Sequence, residues 1–347
     1  VIGNVTYARG TVDNPTSGLW SEADRSHEVA EAGYYAVPLT RYAIQAELTA
    51  TARVGMHRYT FPESQEAAIV IDLENGGCWD RAIDTHLEAE GNNRIVGWRH
   101  SRGWAANQKV FFVAEFSKPF THLTLHGEGE RYGRAHFTTS QNEELMVKVA
   151  ISAVDLEGAR QAMQSELSGW DFEATREAAR HAWETELQRI RITTNDESTK
   201  RIFYTSMYHA MMAPALFSDV DGRYRGADGN IYHSTTPRYT NFSLWDTYRA
   251  KQPLMTIIQA ERAGQFVSSM IDICDRQGDL PVWHLWGNET NCMVGDPAIP
   301  VVADAIVKGL QGFDHDRAFE AIKQTAATPE RGKQFRHAYG YIPCNLL

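Results

Sequence analysis

The apolar period of this chain changes once, and that change decides what it can fold into. Ile44, Ala46, Leu48, Ala50, Ala52, Val54 and Met56 alternate with Gln45, Glu47, Thr49, Thr51 and Arg53. A period of two is that of a strand with one face on a core. Gly55 reads as a bulge or bend, because Tyr59 and Phe61 carry the apolar face onward on odd positions. Residues 67–73, 109–116, 121–126 and 144–151 read as further strands. Many strands parted by Gly, Asn and Pro clusters predict an antiparallel sandwich rather than βαβ units.

Around Ser152 the period becomes helical. Residues 155–167 and 172–190 read as helices, with Phe172, Ala179, Trp183, Leu187 and Ile190 at helical spacing. This pair is expected to connect two domains. From Lys200 onward helices dominate. One is lined by Ile202, Phe203, Tyr208, Met211 and Met212 and stops at Pro214. Others are expected at about Leu244, at 262–276 with Gly278 as the stop, at 298–310, and at 317–326 with Asp314 as cap. Asp296 before Pro297 reads as an N-cap and first-turn pair. Residues 219–232 read as a turn-rich hairpin. The domains expected are a β-sandwich over 1–152, a helical linker over 153–192 and a helical domain over 193–347. Paired helices with long polar loops suggest a helical barrel or toroid, which spacing alone does not separate from a bundle.

At 347 residues and 43% hydrophobic content, the chain has material for roughly two globular domains. A net charge of −10 argues against nucleic acid or an anionic membrane as partner. No apolar run reaches bilayer length. The four cysteines, at 78, 274, 292 and 344, match no zinc or redox spacing and read as buried free thiols, with one disulfide as the alternative.

Chemistry concentrates in two segments. The first is NFSLWDTYR, from Asn241 to Arg249. If it is helical, Asp246 and Arg249 lie three apart on one face and Trp245 beside them. A carboxylate held by a guanidinium stays an acceptor for sugar hydroxyls, and an indole offers a flat face to the C–H side of a ring. A structural ion pair with a core Trp explains the same residues. The second is LPVWHLWGNETNCMVGDPAIPV, from Leu280 to Val301, with Trp283, Trp286, Asn288, Glu289, Thr290 and Asp296 in one loop-rich stretch. Glu289 between Asn and Thr needs partners. Asp296 serves equally as a helix cap. GWRHSRGW, from Gly97 to Trp104, is a further candidate on a strand–loop edge, including His100. Gly127-Glu-Gly-Glu lacks the context of a dinucleotide loop, His209 and His233 stand alone, and there is no HExxH, Walker loop or nucleophile elbow.

FSLWDTYRAKQPLMTII and GNETNCMVGDPAIPV resemble the catalytic-domain signature of the glycoside hydrolase family 92 α-mannosidases. GYYAVPL, YAIQAELTATARVGMHRYTFP and WRHSRGWAANQKVFFVAEFSKPF are similar to that family's sandwich domain. The resemblance implies a β-sandwich followed by part of an (α/α)6 barrel. It implies inverting, calcium-dependent removal of terminal α-linked mannose from mannose-containing glycans. It places Trp245, Asp246 and Arg249 in the pocket for the terminal mannose, Glu289 and Asp296 as supporting pocket groups, and His100 as a sandwich-domain contributor. It also implies a periplasmic, surface-anchored or secreted protein. One departure is Pro297, where the family often has His. By the same resemblance the general acid, the general base and most calcium ligands fall beyond Leu347, so the chain is expected to be an inactive internal fragment. A non-catalytic glycan-binding module, or another sandwich-plus-helical-barrel carbohydrate enzyme such as a disaccharide phosphorylase, remains open on the residues alone.

Overall fold

The computed structural model describes residues 18–76, 79–127 and 129–346. After β1 (Val29–Glu31) and β2 (Tyr34–Leu39), the expected single long strand is two, β3 (Ile44–Ala50) and β4 (Val54–Phe61). Thr51 Oγ1 and the Arg53 backbone N–H donate to the Glu166 carboxylate at 2.7 and 2.9 Å, and Val54 N–H donates to Thr51 Oγ1 at 3.2 Å. The alternation therefore runs through a turn rather than straight on. Gly55 stands in unbroken register opposite Ala50 and Val149, so no bulge forms there.

The sandwich continues with β5 (Ser64–Asp72), β6 (Arg81–Glu90), β7 (Arg94–Arg102), β8 (Gln108–Phe116), β9 (His122–His126), β10 (Tyr132–Thr139) and β11 (Glu143–Ser152). One sheet has the order β1-β2-β3-β4-β11-β8-β7-β6 and the other β5-β10-β9. The ladders are antiparallel, as expected. Ile44, Phe61, Leu87, Ile95, Phe116 and Leu145 of the larger sheet share a core with Ala67, Ala135 and Phe137 of the smaller. Phe61, Phe116 and Phe137 are each 1% exposed. Burial of each stabilises the sandwich by about 2–3 kcal/mol.

The other face of the larger sheet carries Val54, Met56, Val96, Val113 and Ala150. It packs on Ala159, Ala162 and Met163 of α1 (Leu156–Glu166) and Phe172 of α2 (Phe172–Leu187). Lys148 is buried on this face. Its ammonium donates to the Leu167 and Ser168 carbonyls at 3.2 and 3.4 Å, at the negative end of α1. It also pairs with Glu115 at 3.2 Å. Burial alone would push the Glu115 carboxyl up, but Arg94 and Lys148 outweigh it and hold the group below its ordinary range.

The chain forms two compact units, Val1–Gln188 with Asp219–Asp221, and Arg189–Ser218 with Gly222–Leu347. Within the first, Ser152 Oγ donates to the buried Asp219 carboxylate at 2.8 Å. Gly158 admits that carboxylate, because a Cβ there would lie 2.0 Å from Asp219 Oδ2.

The second unit begins with α3 (Glu197–Met211) and β12 (Ala215–Leu216). The expected hairpin is β13 (Arg223–Arg225) with β14 (Ile231–His233), followed by β15 (Tyr239–Thr240) and β16 (Phe242–Ser243). Then come α4 (Leu244–Thr247), α5 (Lys251–Ile258), α6 (Ala260–Gln277), β17 (Trp283–Leu285), β18 (Asn288–Glu289), α7 (Ala298–Val307), α8 (His315–Ala327) and α9 (Lys333–Tyr339). Its core gathers Leu244, Met255, Phe266, Val267, Met270, Cys274, Val302 and Ala318. α6 buries one face at i, i+3, i+4 and i+7 spacing and ends at Gly278, whose φ of +99° no β-carbon opposes. Asp314 caps α8 through Arg317 N–H at 3.0 Å, as expected. Of the cysteines, Cys274 is a buried free thiol, but Cys292 is only partly covered and Cys344 is exposed. Cys78 and residues 1–17 lie outside the described residues. Among the described residues, no helix is long and apolar enough to cross a membrane.

Candidate functional site

The two chemistry-bearing segments meet in a three-stranded sheet ordered β16-β17-β18. Phe242 pairs with His284 and Ser243 with Trp283, and β17 turns back so that His284 pairs with Glu289. Residues forty positions apart in the chain are thereby fixed to one another by backbone hydrogen bonds.

On the first segment, Trp245 is 44% exposed, and Asp246 and Arg249 are exposed beside it. Asp246 Oδ2 accepts from Ser243 Oγ. The expected Asp246–Arg249 ion pair is not formed. Tyr248 keeps right-handed helical backbone after α4 ends, so it is the side chains that part, Asp246 turning to Ser243. Arg249 instead lies over the Tyr248 ring, 5.7 Å from its centroid, and donates to Tyr248 OH at 3.2 Å. Indole, carboxylate and guanidinium therefore stand in solvent with little protein bonding of their own.

The second segment is the reverse. Glu289 Oε2 accepts from Val282 N–H at 2.8 Å, and Oε1 from Trp283 and Asn291 N–H at 3.0 and 2.7 Å. Three of its roughly four lone-pair sites are thus taken by backbone. Asp296 is not a side-chain cap. The N-cap of α7 is Pro297, without a side-chain bond, and the Asp296 carboxylate faces Lys333 at 3.3 Å and Arg331 at 3.7 Å. Lys333 is itself buried, so Asp296 neutralises an interior cation.

His100 belongs to the sandwich unit, on β7. Its Nδ1 is 3.1 Å from Asp84 Oδ2, which also accepts from Trp98 Nε1 at 2.7 Å. The imidazole stacks on Trp98 at 6.3 Å and meets the edge of Phe111 at 5.4 Å.

Two residues that the sequence reading passed over hold the site together. Thr240 is fully buried, and its Oγ1 lies 3.1 Å from His284 Nδ1 and accepts from Gly287 N–H at 3.2 Å. His284 is 2% exposed, and burial pushes its imidazole down to about 3. Its Nε2 has no hydrogen-bond partner. Gly287, in the two-residue gap between Leu285 and Asn288, was the available signal, since such a gap marks a tight hairpin. Among the described residues, no group of three or more His, Cys, Asp and Glu side chains is placed to hold a metal ion.

Residues 1–152 match the glycosyl hydrolase family 92 N-terminal domain, and residues 158–346 match the glycosyl hydrolase family 92 catalytic domain. The structure of a family GH92 α-mannosidase from Bacteroides thetaiotaomicron superposes with a TM-score of 0.94 at 37% identity, over 99% of this chain and 49% of that one. The same enzyme is known in complex with mannoimidazole. An inverting GH92 mannosidase of that organism, at 24% identity, has a TM-score of 0.82 over 94% of this chain and 47% of its own. An uncharacterized secreted glycosidase of Arthroderma benhamiae is 24% identical over 93% of this chain and 44% of its own. The chain spans about half the length of these relatives. The first match carries the fold class with it: a β-sandwich followed by part of an (α/α)6 barrel. The chain belongs to glycoside hydrolase family 92.

Proposed function

We propose that the chain carries a sugar-recognition surface of an exo-acting α-mannosidase that releases terminal α-linked mannose from glycans with inversion and with calcium. The observation that carries this reading is the 37% identity to an α-mannosidase over 99% of the chain. The local chemistry supports it. Trp245 offers an open indole face to the C–H side of a pyranose. Asp246, bonded among the described residues only by Ser243, retains acceptor sites for vicinal hydroxyls. Arg249 supplies exposed donors beside it. Glu289 and Asp296 are proposed as supporting groups, by holding the loop and helix ends beside this surface, and His100 is proposed separately as a sugar-contacting group of the sandwich unit.

Inverting hydrolysis needs a carboxylic acid and a carboxylate roughly 6.5–9.5 Å apart, with water between. None of Asp246, Glu289 and Asp296 is proposed for either role, since each is better explained as an acceptor of hydroxyl, backbone or cation. The likeness to a secreted glycosidase supports a periplasmic, surface-anchored or secreted protein.

The test is mannose release from an α-mannobioside by the full natural chain, with the anomer of the first-formed product read by NMR. Release of β-mannose, lost with a calcium chelator and restored by calcium, is expected. Release of α-mannose, activity indifferent to chelation, or turnover that requires phosphate would each overturn the corresponding part. Mannose binding without turnover would make it a lectin-like module instead.

A further inference from the structure

The β17–β18 hairpin closes through two residues, Trp286 and Gly287, since Leu285 pairs with Asn288. Their φ values are +46° and +80°, both positive as a type I′ turn requires. Asn or Asp normally fills the first of these positions, and a bulky ring there is strained. Strain of this kind persists only where the surroundings over-determine it. They do so here. Trp286 N–H donates to Asn241 Oδ1 at 3.2 Å, and the Trp286 carbonyl accepts from Asn288 Nδ2 at 2.9 Å. Gly287 N–H donates to the buried Thr240 hydroxyl. A Cβ on Gly287 would lie 3.0 Å from Phe217 Cζ, and the same Phe217 ring meets the indole edge-on at 5.3 Å and 74°. Backbone and ring are both held, yet the residue remains partly exposed.

Position then narrows the role. Trp245 and Asp246 follow Ser243, which pairs with Trp283 at the start of β17, whereas Trp286 closes the hairpin beyond Leu285 at the other end of that strand. Trp286 is three residues on from Trp283, a backbone separation of about 10 Å at the strand rise, longer than a single pyranose ring. We propose that the Trp286–Gly287 turn is a pre-set stacking platform for a second sugar ring, the one to which the terminal mannose is attached, and so a determinant of which glycosides are accepted. This rests on the α-mannoside reading above.

The experiment compares wild type, Trp286→Asn and Trp286→Phe in the full natural chain. Two probes are used: methyl α-mannoside, with one ring, and a sulfur-linked, non-hydrolysable α-mannobiose, with two. Asn suits the left-handed backbone, so W286N is expected to keep its melting temperature within about 2 °C of wild type. It should bind the two-ring probe about tenfold more weakly and the one-ring probe unchanged. W286F should recover part of the two-ring affinity. Equal loss on both probes, no loss on either, or a fall in melting temperature by more than about 5 °C for W286N would overturn the proposal. The last outcome would mean the indole is there for packing on Phe217. Failure of wild type to bind either probe would sink the α-mannoside reading itself and this inference with it.

Discussion

The two segments that meet at β16–β17 are built on opposite principles. In residues 282–291, polar side chains spend their hydrogen bonds on backbone: Glu289 takes three N–H groups, and Thr290 Oγ1 donates to the Trp283 carbonyl at 2.8 Å. In residues 243–249, Asp246 and Arg249 each keep a single neighbour and stand in solvent. The lesson is that chemical richness in sequence does not tell scaffold from ligand-facing surface. A carboxylate saturated by N–H groups fixes a loop, and one with vacant acceptor sites is available to a substrate.

Four measurements can break or sharpen that contrast. The largest effect is expected for Glu289→Ala. Stranding two part-buried N–H groups and one exposed one that now bond an ionised acceptor should cost on the order of 3 kcal/mol of stability, read by denaturant unfolding. A loss under about 1 kcal/mol would show that the loop does not depend on that carboxylate. Next is Asp246→Ala. Here the melting curve should not move, because the side chain is exposed, while affinity for methyl α-mannoside should fall about 100-fold, or about 2.7 kcal/mol. A variant that melts early with unchanged sugar affinity would reverse the assignment of the two segments.

Thr240→Val ranks third. It removes the hydroxyl shared by Gly287 and His284 and should cost about 2 kcal/mol, with the loss appearing in thermal unfolding. The last measurement is one of pH. Burial holds the His284 imidazole at about 3 in the folded chain, against about 6.5 when unfolded. A folded value below the unfolded one means the contribution is complete above pH about 6.5 and is lost as pH falls toward 3. His136 of the sandwich is pushed down to about 4 by burial, with His122, Arg134 and His126 adding to it, and has the same sign. The melting temperature should therefore drop between pH 7 and pH 5, and His284→Gln should flatten that slope. An unchanged slope would place the sensitivity elsewhere.

Most of the fold was legible because its strands and helices sort side chains by period. β11 sends Leu145 and Val147 to one cluster and Ala150 to the other, and α6 shows helical spacing with a glycine stop. β6, β7 and β10 were less visible. On β6 and β7 the outward face carries Asp84, His86, Trp98 and His100, which bond and stack with one another, so polarity there is not a mark of a loop. β10 buries Arg134 and pairs small residues, Gly133 and Ala135, with its neighbours. The turn at Thr51–Arg53 was hidden for a different reason: its stabilising partner, Glu166, is distant in sequence. Site chemistry was legible as composition but not as pairing. Asp246 turned to Ser243 and Arg249 to Tyr248 instead of to each other, and the Asp296 cap was displaced by two cations from the α9 region. Where such partners come from distant segments, local spacing carries no information about them.

The buried contact between Ser152 and Asp219 has an evolutionary corollary. The chain returns at Asp219–Asp221 to the unit it left after Gln188. A recombination event that exchanged everything after position 188 would bring a foreign residue beneath Gly158, into a space shaped for one carboxylate. Shuffled descendants would carry a hole or a collision at that spot, so the sandwich and the helices should be inherited as a single cassette.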